Sequence, residues 1–138
     1  MHDRILRIGL WVLALPAVVV GTWAGFAPRS FYADFPGFGR SWIAPDGPFN
    51  EHLVRDVGAL NLALAIVTIA AALTLGRALV RGVLVAWLVE GVLHVVYHAR
   101  HLDPFASTDQ VAITLSLVFV PILAVGLLVA DRKVASAG

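Results

Sequence analysis

Five side chains able to take part in catalysis or metal binding occur within a short stretch of the second half of the chain. They are Glu90, His94, Tyr97, His98 and His101. At about 100° per residue of an α-helix, this spacing places them along one stripe of a helix surface. A histidine pair four residues apart can present two ring nitrogens to one ion, and a nearby carboxylate can bind the ion or orient a ring. The spacing therefore indicates metal-binding chemistry.

A second set of polar residues begins the preceding apolar segment. His52 and Asp56 are one helical turn apart, and Glu51 and Arg55 stand beside them. Because a short connection makes the two segments antiparallel neighbours, we expect the two polar stripes to face each other at the same depth. The predicted metal ligands are His52, Asp56, Glu90, His94 and His98. The predicted accessory residues are Glu51, Arg55, Tyr97 and His101.

The donor atoms of this set do not distinguish among several transition metals. Nitrogen and oxygen ligands without sulfur suit zinc, iron, manganese, nickel or copper(II). If the protein is an enzyme, we expect a metal-activated water or oxidant, with Tyr97 or His101 as the proton donor. Haem held between His52 and one histidine of the 90–101 stretch is an alternative cofactor.

Other hypotheses explain the same residues without a metal. Glu90 can pair with Arg55 or with a histidine, which leaves the remaining histidines and Tyr97 as ordinary residues of a membrane interface. An intramembrane site of this composition also suits a quinone, a lipid or a proton relay. In a hypothesis of another class, the chain is a small structural or accessory subunit of a larger membrane complex, or it forms a homo-oligomer.

Membrane-spanning helices must position these residues. The chain has 138 residues, of which 59% are hydrophobic and 14% charged, and its mean hydropathy is +0.86. A helix needs roughly 20 apolar residues to cross the hydrocarbon core of a bilayer. Four segments satisfy this requirement, at about 5–26, 50–75, 78–99 and 108–130. The sequence therefore predicts an all-α fold, a polytopic four-helix transmembrane bundle that forms a single domain over residues 1–138.

The remaining composition argues against several classes of function. A net charge of +1 leaves no basic excess for binding the phosphates of a nucleic acid. The lack of cysteine excludes disulfides, thiolate metal sites, iron–sulfur clusters and a cysteine nucleophile. An isolated ionisable group that faces lipid costs roughly 3 kcal/mol, so Glu90 and His94 should point into the protein. We therefore expect an intramembrane polar pocket.

The connection between the first two spans is long and aromatic. Residues 28–49 read PRSFYADFPGFGRSWIAPDGPF. The rings suited to the headgroup level of a membrane are those of Phe31, Tyr32, Phe35, Phe38 and Trp42. We interpret this loop as an interfacial belt, and a lid over a substrate is the alternative.

Local signals predict one helix start and several helix contacts. Asn50 lies directly before Glu51, as expected for the N-cap of the second span. Gly21 and Gly25 have GxxxG spacing, which favours close helix contacts within the chain or between copies. Asn61 and Thr68 are expected to form hydrogen bonds between helices.

The distribution of basic residues predicts the orientation in the membrane. In bacterial inner membranes, short flanks rich in lysine and arginine stay on the cytoplasmic side. One side of the predicted topology carries a basic set: Arg4, Arg7, Arg77, Arg81, Arg132 and Lys133. We therefore predict a bacterial-type inner (plasma) membrane protein with both termini in the cytoplasm. Because Pro28 would follow a cleavage after Ala27, we interpret the first span as a retained anchor rather than a signal peptide.

The chain also resembles a group of bacterial membrane proteins. The similarity lies in Leu-Arg-Ile at 6–8, in Gly21, in Phe-Ala-Pro-Arg-Ser-Phe-Tyr at 26–32 and in Arg-Asp-Val-Gly at 55–58. These motifs resemble the DoxX-like and DUF4345-type families of small four-helix membrane proteins, and the resemblance covers most of the chain. It implies a four-helix transmembrane fold, and it implies no activity or site residue for this chain.

Overall fold

The computed structural model describes the backbone of residues 2–135 and the side chains of residues 3–131. Arg132 and Lys133, which contribute to the predicted charge asymmetry, lie outside the described side chains. The elements in chain order are α1 (His2–Phe26), α2 (Pro28–Asp34), β1 (Pro36–Gly37), β2 (Arg40–Ser41), a 3₁₀ helix (Ala44–Asp46), α3 (Glu51–Thr74), α4 (Arg77–His98) and α5 (Ser107–Ala135).

Four of these helices are long and apolar enough to cross a membrane, as predicted. The membrane-length segments are Asp3–Phe26, Glu51–Thr74, Arg77–His98 and Ser107–Asp131. The predicted N-cap of α3 is confirmed, because the Asn50 side chain accepts a hydrogen bond from the backbone amide of Leu53 at 3.2 Å. Helix α5 continues beyond the predicted end at residue 130, because the Asp-Arg-Lys-Val-Ala stretch that follows contains no glycine or proline to end it.

Helices α1 and α3 form one closely packed pair. A Cβ atom added at Gly58 of α3 would lie 2.7 Å from the Cα atom of Gly25 in α1, and one added at Gly21 would lie 3.0 Å from the carbonyl oxygen of Gly58. The two backbones approach this closely only because these positions lack side chains. The GxxxG spacing of α1 therefore supports a contact within the chain.

Helices α4 and α5 form the second pair. A Cβ atom added at Gly91 of α4 would lie 2.9 Å from Cδ and 3.3 Å from the nitrogen of Pro121 in α5. The proline ring packs against the flat surface that the glycine leaves. Arg81 of α4 and Asp131 of α5 form an ion pair of 2.5 Å, in which the Asp131 carboxylate is buried.

The two pairs meet mainly at one end of the molecule, which we call the closed end. This end holds the start of α1, the turn between α3 and α4, and the last turns of α5. Its buried residues include Leu6, Leu10, Leu13, Ala71, Ala72, Val80, Leu84 and Leu127. The Arg7 guanidinium donates to the carbonyl oxygens of Ala72 and Leu73, at 2.9 and 3.0 Å, and so satisfies the last turn of α3. Nearer the middle, the Trp87 indole donates to the Thr68 hydroxyl at 2.9 Å and joins α4 to α3.

The opposite end is covered by residues 27–50, which we call the cap. The sequence predicted a long aromatic loop here, and the structure has α2, the antiparallel pair β1–β2 and the 3₁₀ helix in this region. The Tyr32 hydroxyl holds the end of the cap by donating to the carbonyl oxygen of Gly47 at 2.8 Å. Asp109, in the first turn of α5, accepts hydrogen bonds from Arg40 and from the Trp42 indole. The cap therefore extends from the α1/α3 pair across to α5.

Candidate functional site

A cavity of about 1000 Å³ lies between the two helix pairs, on the cap side of the tightly packed core. All four long helices contribute to its wall, and most of that wall is apolar. Representative apolar residues are Val12 and Pro16 of α1, Val57 of α3, and Leu115 and Phe119 of α5. The cap closes one end of the cavity with Phe31, Phe35, Pro36, Trp42 and Ile43.

The ionisable groups of the cavity come from α4 and the cap. They are Asp46, Glu90, His94, Tyr97 and His98. Glu90 is the deepest of these on α4, eight residues before its end, which corresponds to about 12 Å at 1.5 Å per residue. The predicted stripe of α4 therefore faces a cavity, as expected for ionisable groups within a membrane span.

Glu90 and His94 form a hydrogen-bonded pair within this stripe. The Nδ1 atom of His94 lies 3.1 Å from Oε1 of Glu90, and the two side chains, which both line the cavity, are 45% and 44% exposed. A carboxylate only accepts hydrogen bonds, so the His94 ring donates from Nδ1 and its Nε2 atom remains free. A carboxylate that orients a histidine in this way is common at both metal and catalytic sites.

His98 and Tyr97 extend the polar stripe toward the cap. The rings of His94 and His98 are 5.1 Å apart. Within the described part of the chain, the buried Nδ1 atom of His98 has no hydrogen-bond partner. Tyr97 and the cap residue Asp46 both line the cavity as well.

His101, predicted to continue the same stripe, does not line the cavity. Helix α4 ends at His98, so the periodicity that predicted the stripe does not apply three residues later. The His101 ring instead stacks on Tyr97, with centroids 4.1 Å apart, and its Nδ1 atom lies 2.7 Å from the Tyr97 carbonyl oxygen. This contact makes His101 a support for Tyr97.

The predicted residues of α3 lie on the outer surface of the molecule. His52 and Asp56 approach each other at 3.4 Å, but their side chains are 83% and 53% exposed and neither lines the cavity. Asp56 is two residues before the buried Gly58. It therefore lies about 200° around the helix from Gly58, on nearly the opposite face. Glu51 and Arg55 form a separate pair of 2.9 Å, in which Arg55 also donates to the carbonyl oxygen of Gly25.

The structure therefore does not assemble the predicted set of five metal ligands. Among the described residues, no three histidine, aspartate or glutamate side chains come together in a group that could hold a metal ion. Two separate pairs occur instead, Glu90 with His94 and His52 with Asp56. The physical reason is that α3 packs chiefly against α1, and this packing turns the polar stripe of α3 away from α4.

Several cavity residues were not recognised as site residues in the sequence. Asp46 and Trp42 reach the cavity through the fold of the cap, for which the sequence offered only an aromatic composition. Asn61 lines the cavity and donates to the Val57 carbonyl oxygen of its own helix at 2.9 Å, so the expected hydrogen bond between helices is not formed. For Thr68 that expectation is confirmed by its contact with Trp87.

In comparisons with known proteins, the chain matches no family model, no curated protein sequence and no solved structure. The resemblance to DoxX-like and DUF4345-type proteins therefore stays an expectation from the sequence.

Proposed function

We propose that this membrane protein binds a lipid-soluble molecule in the cavity between its two helix pairs. One observation carries the proposal: a cavity of about 1000 Å³ has mainly apolar walls, and its ionisable groups are all on α4 and the cap. Such a cavity suits an amphipathic ligand, whose tail contacts the apolar walls and whose head group contacts Glu90 and His94. Cavities of about 300–1000 Å³ with a few polar groups are typical ligand sites.

The exposure of the cavity wall supports entry of the ligand from the bilayer. Leu53 and Val57 of α3 and Leu115 and Phe119 of α5 line the cavity and are also exposed. In a membrane, the surroundings of these helix segments are acyl chains. The cap covers the end that faces water, so a molecule already dissolved in the bilayer has the shorter route into the cavity.

The same geometry weighs against the metal and haem hypotheses, both of which involve His52. A metal ion in the cavity would have His94 and His98 as its nearest histidine ligands, without His52 and Asp56. No group of three histidine, aspartate or glutamate side chains among the described residues could hold a metal ion, and transition-metal sites normally have three or four protein ligands. A quinone, by contrast, is itself a lipid-soluble molecule and needs no protein metal ligands, so this geometry does not weigh against it.

The proposal is tested with a probe whose binding is read by tryptophan fluorescence. Trp42 and Trp87 line the cavity, whereas Trp11 and Trp23 do not. In a Trp11→Phe, Trp23→Phe background reconstituted into lipid nanodiscs, an undecanol brominated at the end of its tail should quench the remaining fluorescence in a saturable manner. Bromine quenches tryptophan on contact, so saturation reports occupation of a defined site.

A matched pair of variants separates cavity binding from general partition into the bilayer. Val57→Phe places a larger side chain in the cavity, and Leu60→Phe makes a similar change on the same helix at an exposed position outside it. We expect saturable quenching to weaken in Val57→Phe and to persist in Leu60→Phe. Quenching that is linear in probe concentration in every variant would overturn the proposal and favour the accessory-subunit hypothesis, in which the cavity has no ligand.

A further inference from the structure

We propose that the cavity selects lipid-soluble molecules whose head group donates hydrogen bonds and carries no negative charge, such as long-chain alcohols and amines. This inference rests on the proposed function and names the chemistry of its ligand. It follows from two features of the cavity: the signs of the charges that line it, and the hydrogen-bonding groups that remain free there.

The charged groups of the cavity are acidic. Asp46 of the cap and Glu90 of α4 line it, together with the titratable side chains of His94, Tyr97 and His98. Helices α1, α3 and α5 add no ionisable side chain to the described wall, and no described lysine or arginine faces the cavity. Because charges are weakly screened in an apolar environment, a carboxylate or phosphate head group would be repelled at this site.

Three polar side chains of the cavity already use a donor group within the protein. The Ser116 hydroxyl donates to the Ile113 carbonyl oxygen at 2.9 Å, and the Asn61 amide donates to the Val57 carbonyl oxygen at 2.9 Å. His94 donates from Nδ1 to Glu90. What Ser116 and the Glu90–His94 pair still offer a ligand is lone pairs.

His94 is the central acceptor in this arrangement. A neutral histidine ring that donates from Nδ1 has a lone pair on Nε2. The remaining lone pairs of Glu90 lie beside it. A hydroxyl or ammonium group placed here can donate to both residues, whereas an ether or a ketone would leave them unpaired in an apolar site, which is costly.

Four probes with the same brominated tail test this selection in the Trp11→Phe, Trp23→Phe background. Their head groups are an alcohol, an amine, a carboxylate and a methyl ether. We expect the alcohol and the amine to bind roughly fivefold or more tightly than the ether, as expected for one net hydrogen bond. The carboxylate should bind more weakly than the alcohol. The relative strength of the alcohol and the amine identifies which donor the site prefers.

Variants on α4 and matched variants on α3 assign the effect to the cavity. His94→Phe should bring the affinity of the alcohol closer to that of the ether, and Glu90→Gln should raise the affinity of the carboxylate. His52→Phe and Glu51→Gln are changes at exposed positions on α3. They should alter neither the ratio of alcohol to ether affinity nor the affinity of the carboxylate. Equal saturable binding of all four probes, or tightest binding of the carboxylate, would overturn this inference and leave the proposed function intact. Failure of all four probes to show saturable quenching would overturn the proposed function itself.

Discussion

At the scale of single residues, two acid–histidine pairs with the same spacing have different surroundings. Glu90 and His94 face the cavity, whereas His52 and Asp56 lie on the outer surface of α3. Spacing along a helix determines which side chains share a face. It does not determine what that face contacts, and for that reason an i, i+4 pattern alone is a weak predictor of a metal site.

The separation of these pairs leads to a prediction about metal content. We expect protein purified in detergent to show the same low metal content before and after His94→Ala, because the described residues provide no group of three ligands. Elemental analysis and an absorption spectrum provide the measurement. Stoichiometric metal that is lost in His94→Ala would restore the sequence-based metal hypothesis, and a Soret band would restore the haem hypothesis.

A buried hydrogen bond between Trp87 and Thr68 joins the two helix pairs. The Thr68 hydroxyl also donates to the Leu64 carbonyl oxygen at 2.6 Å, so it can accept from Trp87 without losing its own partner. In a double-mutant cycle of Trp87→Phe and Thr68→Val, we expect a coupling energy of about 0.6–1.7 kcal/mol. Thermal unfolding in detergent measures it. Trp11→Phe combined with Thr68→Val serves as the control. A coupling energy as large in that control would mean that the coupling does not arise from the hydrogen bond between Trp87 and Thr68.

At the scale of elements, the helix pairs depend on glycine at contact positions. Gly58 lies so close to Gly25 that an added methyl group must push α1 and α3 apart. We predict that Gly58→Ala lowers the free energy of unfolding by about 1–3 kcal/mol, the usual cost of overpacking. Gly82→Ala is the control, because a Cβ atom there has open space, and its stability should be unchanged or slightly higher. Equal effects of the two changes would mean that the close approach of α1 and α3 is not required.

The cap depends on one carboxylate at the start of α5. Asp109 accepts from both Arg40 and Trp42, although the Arg40 side chain is partly exposed, which reduces the value of the ion pair. We predict that Asp109→Ala speeds hydrogen exchange in residues 36–43 roughly five- to tenfold, as expected for loss of about 1–1.5 kcal/mol. Mass spectrometry of the exchanged peptides measures this rate. Asp103→Ala, an exposed change near the same end, should leave the rate unaltered, and an equal effect there would exclude a specific role for Asp109.

The elements also show which features the sequence could predict. The four spans were predictable because uncharged runs of about 20 residues have few alternatives to a transmembrane helix. The stripe of Glu90, His94, Tyr97 and His98 followed from helical periodicity, and these residues do line one cavity. The rotation of α3 was not predictable from its short connection to α4, since a connection restrains only the helix ends. The close contact at Gly58 determines that rotation, and it depends on a helix distant in sequence.

At the scale of the whole molecule, packing is dense at the closed end and open at the cap end. Small and branched residues such as Ala71, Ala72 and Val80 bring the two pairs together at the closed end. Toward the cap, contacts such as Gly91 with Pro121 keep each pair intact, while the space between the pairs widens into the cavity. The cavity is therefore a property of the whole fold, and no single apolar segment of the sequence indicates it.

The orientation of the whole molecule is testable because the chain has no cysteine. We predict that Phe38→Cys, at the 99% exposed tip of the cap, reacts with a membrane-impermeant maleimide on intact bacterial spheroplasts. Gly76→Cys, in the exposed turn before α4, should react only after the membrane is opened, since Arg77 and Arg81 favour a cytoplasmic position for this end. The reverse pattern would place the cap and the acidic groups of the cavity on the cytoplasmic side, and ligands would then be sought in the inner leaflet of the membrane.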